Sequence, residues 1–289
     1  MIAFASNSLL CRAALRETAI DPASFTFIRI LSGALALWLI MTLRSLHSSH
    51  VANGSPARTH SSRNIGNWVS AFALFAYAAA FSFAYVDLSA GTGALLLFGA
   101  VQATMILWGV RNGEKLDALQ ILGILIALIG LVVLVFPGLS APPLLGSILM
   151  ITAGIAWGVY SLRGKTATDA IAATTGNFFR AWPFALVLSA FMIQQARRDS
   201  LGTIYALVSG AITSGIGYVI WYAALPNLKA ASAATVQLSV PVLAATGGIL
   251  LLGESINLRY AIASVAVLGG IALVVMERQR GPRCEPRGH

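Results

Sequence analysis

The stretch ALQILGILIALIGLVVLVF, running from Ala118 to Phe136, decides the fold class. It carries no charge, and its one strongly polar side chain, Gln120, stands beside its start. A helix needs about 20 apolar residues to cross the roughly 30 Å hydrocarbon core of a bilayer, where its own backbone hydrogen bonds must satisfy every polar group. This run has that length and that chemistry. The whole chain is similar: of 289 residues, 57% are hydrophobic and 10% are charged, and the mean hydropathy is +0.80. Soluble domains carry about a quarter charged residues. The sequence therefore predicts an all-α integral membrane protein rather than a soluble domain.

Working outward from this run, apolar segments bounded by charge, Pro or Gly cover residues 1–16, 23–43, 66–86 and 88–110 before it. After it come 143–162, 174–195, 201–224, 228–252 and 258–276, which makes ten predicted spans in all. Most connections are short, so successive helices are antiparallel neighbours; the exception is the polar segment from Arg44 to Ile65, read as a mobile loop. The first span is short and no basic stretch precedes it, a poor fit to a cleavable secretory signal.

The formal net charge of +9 does not lie along a helix face, as a nucleic-acid partner would require. It falls in the gaps between spans. Arg44, Arg58, Arg63, Arg111, Lys115, Arg163, Lys165, Lys229 and the basic tail at 277–289 share one side, against Arg12, Arg16, Arg197, Arg198 and Arg259 on the other. The positive-inside rule then puts both termini in the cytoplasm of a bacterium, with the chain in its inner membrane. Cys11 and Cys284 are too few for a disulfide framework or a metal site, and no cofactor is implied.

The two halves repeat. Arg12 falls on Arg163 and Phe27-Ile28-Arg29 on Phe178-Phe179-Arg180 at an offset of 151, while Gly113-Glu114 falls on Gly253-Glu254 and Gly130 on Gly270 at 140. The longer loop of the first half accounts for the difference. Residues 1–137 and 138–276 thus form two five-helix repeats, and an odd number of spans makes the second enter the membrane from the opposite face. Inverted repeats of this kind place a substrate site near the midplane between halves that rock about it.

Several motifs carry a resemblance to the drug/metabolite transporter (EamA) superfamily. They are Ala5-Ser6-Asn7-Ser8 and Ala156-Trp157-Gly158, the segment Asp21-Pro22-Ala23-Ser24-Phe25 followed by Phe27-Ile28-Arg29, Pro241, and Leu252-Gly253-Glu254. Within that superfamily the chain most resembles the YddG-type exporters of aromatic amino acids, although Ser6 stands where Trp is common and Val101 where a proline would match Pro241. The resemblance implies ten helices in two five-helix repeats and export of a small organic solute by alternating access. Other amino acids and hydrophobic drugs are the nearer competing cargoes, and a nucleotide-sugar carrier or a membrane enzyme the more distant alternatives.

The residues themselves bear on mechanism. All ten acids, Glu17, Asp21, Asp87, Glu114, Asp117, Asp169, Asp199, Glu254, Glu277 and Glu285, fall at or beyond a span's end, as do the four histidines. A buried acid relay of the proton-coupled kind is not legible. Arg29 and Arg180 lie inside apolar runs and are read as gate residues, against the alternatives of snorkelling to the interface, bonding helix carbonyls or engaging a substrate carboxylate. Tyr77 and Phe81, Trp157 and Tyr160, and Tyr218 and Trp221 recur at helical spacing and suit the wall of a cavity for a flat ring. Intramembrane amides Asn7, Gln102 and Gln237 complete the predicted substrate site, with a helix-to-helix hydrogen bond as the competing role for each. Pro183 and Pro241 are expected to interrupt their helices. Gly123 with Ala127, and Ala266 with Gly270, mark close helix packing, either within the chain or in a homodimer.

Overall fold

A computed structural model describes residues 1–51, 66–113, 116–136, 141–165, 167, 169–224, 236–255 and 257–280. Most of the Arg44 to Ile65 loop, Lys229 with the first part of the ninth predicted span, and the tail after residue 280 lie outside the described residues. Those that are described form helices and short connections. The helices are α1 (Ile2–Glu17), α2 (Pro22–Val51), α3 (Trp68–Ala84), α4 (Ala90–Arg111), α5 (Ala118–Val135), α6 (Leu144–Gly164) and α7 (Ala170–Phe191). Then come α8 (Ser200–Val208), a π-helical segment (Ser209–Ile216) and α9 (Gly217–Ala224) as one rod, followed by α10 (Ser239–Leu252) and α11 (Leu258–Arg280).

Among the described residues, six stretches are long and apolar enough to cross a membrane: Pro22–Leu46, Ala90–Arg111, Ala118–Val135, Leu144–Gly164, Ser200–Trp221 and Leu258–Met276. Two shorter apolar helices, Trp68–Ala84 and Ser239–Leu252, accompany them. Their outward faces carry large apolar side chains such as Leu122, Ile129, Leu250 and Val265, the surface that lipid covers.

The acids at the span ends act as caps, which is why they sit there. An Asp accepts from orphan N–H groups of a first helical turn and faces the positive end of the helix dipole. Asp21 accepts from the backbone N–H of Ala23 and Ser24, Asp169 from Ile171 and Ala172, and Asp199 from Gly202. Asn67 and Ser89 cap α3 and α4 in the same way. Glu254 does more. Its carboxylate accepts from Ala90 N–H at 2.9 Å, capping α4 from the far end of the sequence, and pairs with Arg12 at 3.3 Å. Arg12 Nη1 also donates to the carbonyls of Tyr85 and Val86 at 2.9 and 2.7 Å. Gly253, at φ 60, supplies the left-handed turn that swings Glu254 back over α10. One carboxylate thereby ties together the ends of α1, α3, α4 and α10.

Two expectations are adjusted and two are met. Helix α2 continues past residue 43 to Val51, because no Pro or Gly stops it where the polar sequence begins. Helix α7 runs through Pro183 unbroken: a proline costs one backbone bond, which membrane helices tolerate. Pro241 does break its helix, with a turn at Leu238 just before α10. The small residues of α5 and α11 meet each other within the chain. A Cβ added at Gly123 would strike the Gly270 carbonyl, one at Gly270 the Gly123 carbonyl, and one at Gly130 the Ala266 side chain. These contacts run in opposite senses along the two helices, so α5 and α11 pack antiparallel and occupy the face a homodimer could have used.

Elsewhere α3 lies against α6 and α7, and the α8–α9 rod against α1 and α2. Helix α4 packs on α6 and α10, α10 on α1 and α4, and α2 on α7.

Candidate functional site

At the meeting point of these helices is a buried aromatic cluster centred on Trp157. Its ring lies 4.9 Å from Tyr77, 4.9 Å from Tyr218, 5.5 Å from Tyr160 and 5.9 Å from Phe4, centroid to centroid. Phe81 adjoins Tyr77 at 5.4 Å, and Trp221 meets Phe4 at 6.0 Å. All six aromatic residues expected from the sequence are buried and belong to this one cluster. They come from α3, α6 and α9. Their rings pack tilted or edge-on against one another, geometries that favour the positive ring edge over a negative face.

A polar seam borders the rings. Asn7 on α1 donates from Nδ2 to the Tyr77 hydroxyl at 3.3 Å, and its Oδ1 accepts from Ser209 at 2.6 Å and Thr213 at 3.2 Å. Arg29 on α2 is only 2% exposed. Its Nε donates to Ser214 Oγ at 3.2 Å and its Nη2 to the Tyr77 hydroxyl at 3.0 Å, while Cζ stands 5.2 Å from the Tyr77 ring and 4.9 Å from the Phe81 ring. Arg29 Nη1 and the Tyr218 hydroxyl are buried without a hydrogen-bond partner.

The π-helical segment makes this seam. Widening the turn to an i→i+5 bond shifts the side-chain register, and such turns recur at functional sites. Here the shift brings Ser209, Thr213 and Ser214 toward Asn7 and Arg29 together. Gly210 sits flush on α2, where a Cβ would overlap both Ser32 Oγ and the Arg29 carbonyl.

Gln102 is buried beside a void of about 30 Å³ between α4, α5 and α11, lined also by Gly99, Gly123 and Leu131. Gln237, just ahead of the break before α10, is buried with an unpartnered Oε1 and forms no hydrogen bond with the described residues of the cluster. Arg180, equivalent to Arg29 by sequence, instead donates from Nη1 to the Gly176 carbonyl at 3.1 Å and lies 5.9 Å over the Trp68 ring. The two arginines do not share a site.

Phe4, Phe178 and the hydroxyls of the π segment complete the cluster without having been singled out from sequence. Phe4 lies one helical turn before Asn7, and Phe178 opens the repeated Phe178-Phe179-Arg180 motif, so both were discoverable. A second hollow, of about 200 Å³, opens by the turn between α3 and α4, lined by Asp87, Ser89, Thr92, Glu254, Asn257 and Tyr260 among others. Its Glu254 is already paired with Arg12, outside the lining, in a contact that holds helix ends together.

Comparison with known proteins agrees with this architecture. The EamA-like transporter family matches residues 144–276. An uncharacterized protein of Pseudomonas aeruginosa is 54% identical over 278 residues, 96% of this chain and 92% of that one. An uncharacterized transporter of Archaeoglobus fulgidus is 27% identical over 214 residues (70% and 72%), and a probable amino-acid metabolite efflux pump of Escherichia coli is 27% identical over 201 residues (64% and 67%). A solved crystal structure shares the fold with a TM-score of 0.63 at 17% identity, covering 96% of each chain. With its apolar helices and these relatives, the chain belongs to the EamA-like transporter family, as a multi-pass membrane transporter.

Proposed function

We propose that the protein exports aromatic amino acids or closely related metabolites across a bacterial inner membrane by alternating access, with the Trp157 cluster as the substrate site. The observation that carries this reading is a buried ring cluster bordered by Asn7 and Arg29, built from helices of both halves of the chain. A flat apolar side chain replacing some of these ring-to-ring contacts would gain burial and offset stacking at each face. The Escherichia coli relative, described as an amino-acid metabolite efflux pump, points the same way.

Ten helices in two inverted repeats, 1–137 and 138–276, with both termini cytoplasmic, complete the reading. Helix packing supports it. Exchanging the first five spans with the last five turns the contacts of α3 with α6 and α7 into those of the α8–α9 rod with α1 and α2. It turns the α4–α6 contact into that of α10 with α1, and returns the α2–α7, α4–α10 and α5–α11 contacts to themselves. Gln102 and Gln237, both buried, are the further amides of this proposed site. Arg180, away from the cluster, suits a gate on one side: Arg180→Gln should alter the labelling of a single cysteine at one end of the bundle, and equal changes at both ends would remove that role.

Transport by purified protein in liposomes tests the cargo. Liposomes loaded with tryptophan, phenylalanine, threonine or tetraphenylphosphonium should lose the two aromatic amino acids fastest. Preferential loss of threonine or of the lipophilic cation would reassign the transporter.

A further inference from the structure

We infer that Arg29 and Tyr218 form a carboxylate-binding site beside the ring cluster, so that the transporter selects anionic or zwitterionic aromatic cargo over aromatic amines and neutral esters or amides. The inference rests on the substrate site proposed above and names the group that fixes the cargo's orientation there.

Arg29 is a permanent cation at 2% exposure in a bundle surrounded by lipid. A buried charge is costly unless it is paired and its hydrogen-bonding positions are filled. The described residues give Arg29 only part of this. Nε and Nη2 meet the neutral hydroxyls of Ser214 and Tyr77, the rings of Tyr77 and Phe81 offer their faces, and no carboxylate among the described residues bonds the guanidinium. Nη1 has no partner. The close ion pair formed by described residues is Arg12 with Glu254, on other helix ends.

A second donor is equally idle. The Tyr218 hydroxyl is buried with no hydrogen bond of normal geometry, its polar neighbour being the Tyr77 hydroxyl that Arg29 also meets, on a ring that touches Trp157 and Phe178. Two unused donors, one of them charged, beside a nest of rings match a molecule bearing a carboxylate a few bonds from an aromatic ring. A carboxylate would take the Nη1 hydrogens in a charge-assisted bond, the stronger class of hydrogen bond. It would also supply the missing negative charge. An amine would instead bring a second cation to an unneutralised first.

The arrangement is specific to one half of the molecule. At the offset of 151, Arg180 has the same sequence position in the second half, but it is bonded to the Gly176 carbonyl and stands over Trp68. The two equivalent arginines have separate surroundings, so only Arg29 is placed to meet cargo at the rings.

Binding to purified protein in nanodiscs provides the test, read as a change in the fluorescence of the chain's six tryptophans, Trp157 and Trp221 among them, with ligands that lack an indole. The ligands are phenylalanine, 3-phenylpropionate, phenylalaninamide, phenethylamine and the ring-free carboxylate hexanoate. Wild type should bind phenylalanine and 3-phenylpropionate at least tenfold more tightly than phenylalaninamide and phenethylamine. Arg29→Gln should erase that preference, Arg29→Lys should keep part of it, and Tyr218→Phe, which retains the ring, should weaken phenylalanine and 3-phenylpropionate several-fold while leaving phenylalaninamide and phenethylamine unchanged. Equal binding of phenylalanine and phenylalaninamide by wild type would overturn the carboxylate site while leaving the aromatic cargo in place. Arg29-dependent binding of hexanoate as strong as that of 3-phenylpropionate would keep the carboxylate site and overturn the aromatic cargo. Binding of none of the five would overturn both. Should Arg29→Gln fail to yield monodisperse protein, the Tyr218→Phe comparison decides.

Discussion

Gly210 illustrates how narrowly single residues constrain the centre of the molecule. Its missing side chain lets the π segment rest on α2, directly against the Arg29 carbonyl and Ser32. Gly210→Ala should force those backbones apart and cost about 1–3 kcal/mol, the usual range for overpacking. Thermal unfolding in detergent would show it, with Gly269→Ala, which has open space around it, as the unshifted control. An unshifted Gly210→Ala would mean that the close approach is not a constraint. The rings of the cluster were legible at this scale because i, i+3 and i, i+4 spacing puts them on one helix face. The hydroxyls of Ser209, Thr213 and Ser214 were not. A hydroxyl in an apolar helix commonly bonds its own backbone, as Thr213 also does to the Ser209 carbonyl, and nothing in the sequence marks the widened turn that aims it elsewhere.

At the scale of elements, helix ends were read better than helix contacts. Acids and small polar residues mark the starts of α2, α3, α4, α7 and α8, since an orphan N–H in a first turn needs a nearby acceptor. By contrast, Glu254 caps α4 across 164 residues of sequence, a pairing that only the assembled fold creates. The small residues of α5 and α11 announced close packing but not with which partner. Their mutual contact predicts that Gly123→Leu, facing the Gly270 carbonyl, destabilises the monomer, while an equally large side chain at Gly269 is tolerated. Cross-linking gives a direct reading: cysteines replacing Ala127 and Gly270 should join within one chain. Cross-links between chains only would put this face at a subunit boundary.

For the whole molecule, the proposed repeat rests on shared offsets in sequence and on helix contacts that interchange when the two halves are exchanged, and the proposed alternating access depends on that symmetry. Orientation follows from charge: single cysteines at Ser55 and Gly288 should resist an impermeant thiol reagent added outside intact cells, and ready labelling of either would reverse the topology. The symmetry does not extend to the site chemistry. Trp157 falls on Ser6, and Asn7 on Gly158, at the offset of 151, so the halves share a scaffold while one supplies the central ring and the other the amide. The most direct test of the account is therefore Trp157→Ala, compared with wild type at matched abundance in liposomes, for efflux of phenylalanine and of threonine. The account predicts a loss of about 1–3 kcal/mol in apparent affinity for phenylalanine, with threonine little changed, because one ring's burial and stacking are removed. Equal losses for both amino acids would contradict it, and would make the Trp157 cluster the packing core of the bundle rather than the place where cargo is chosen.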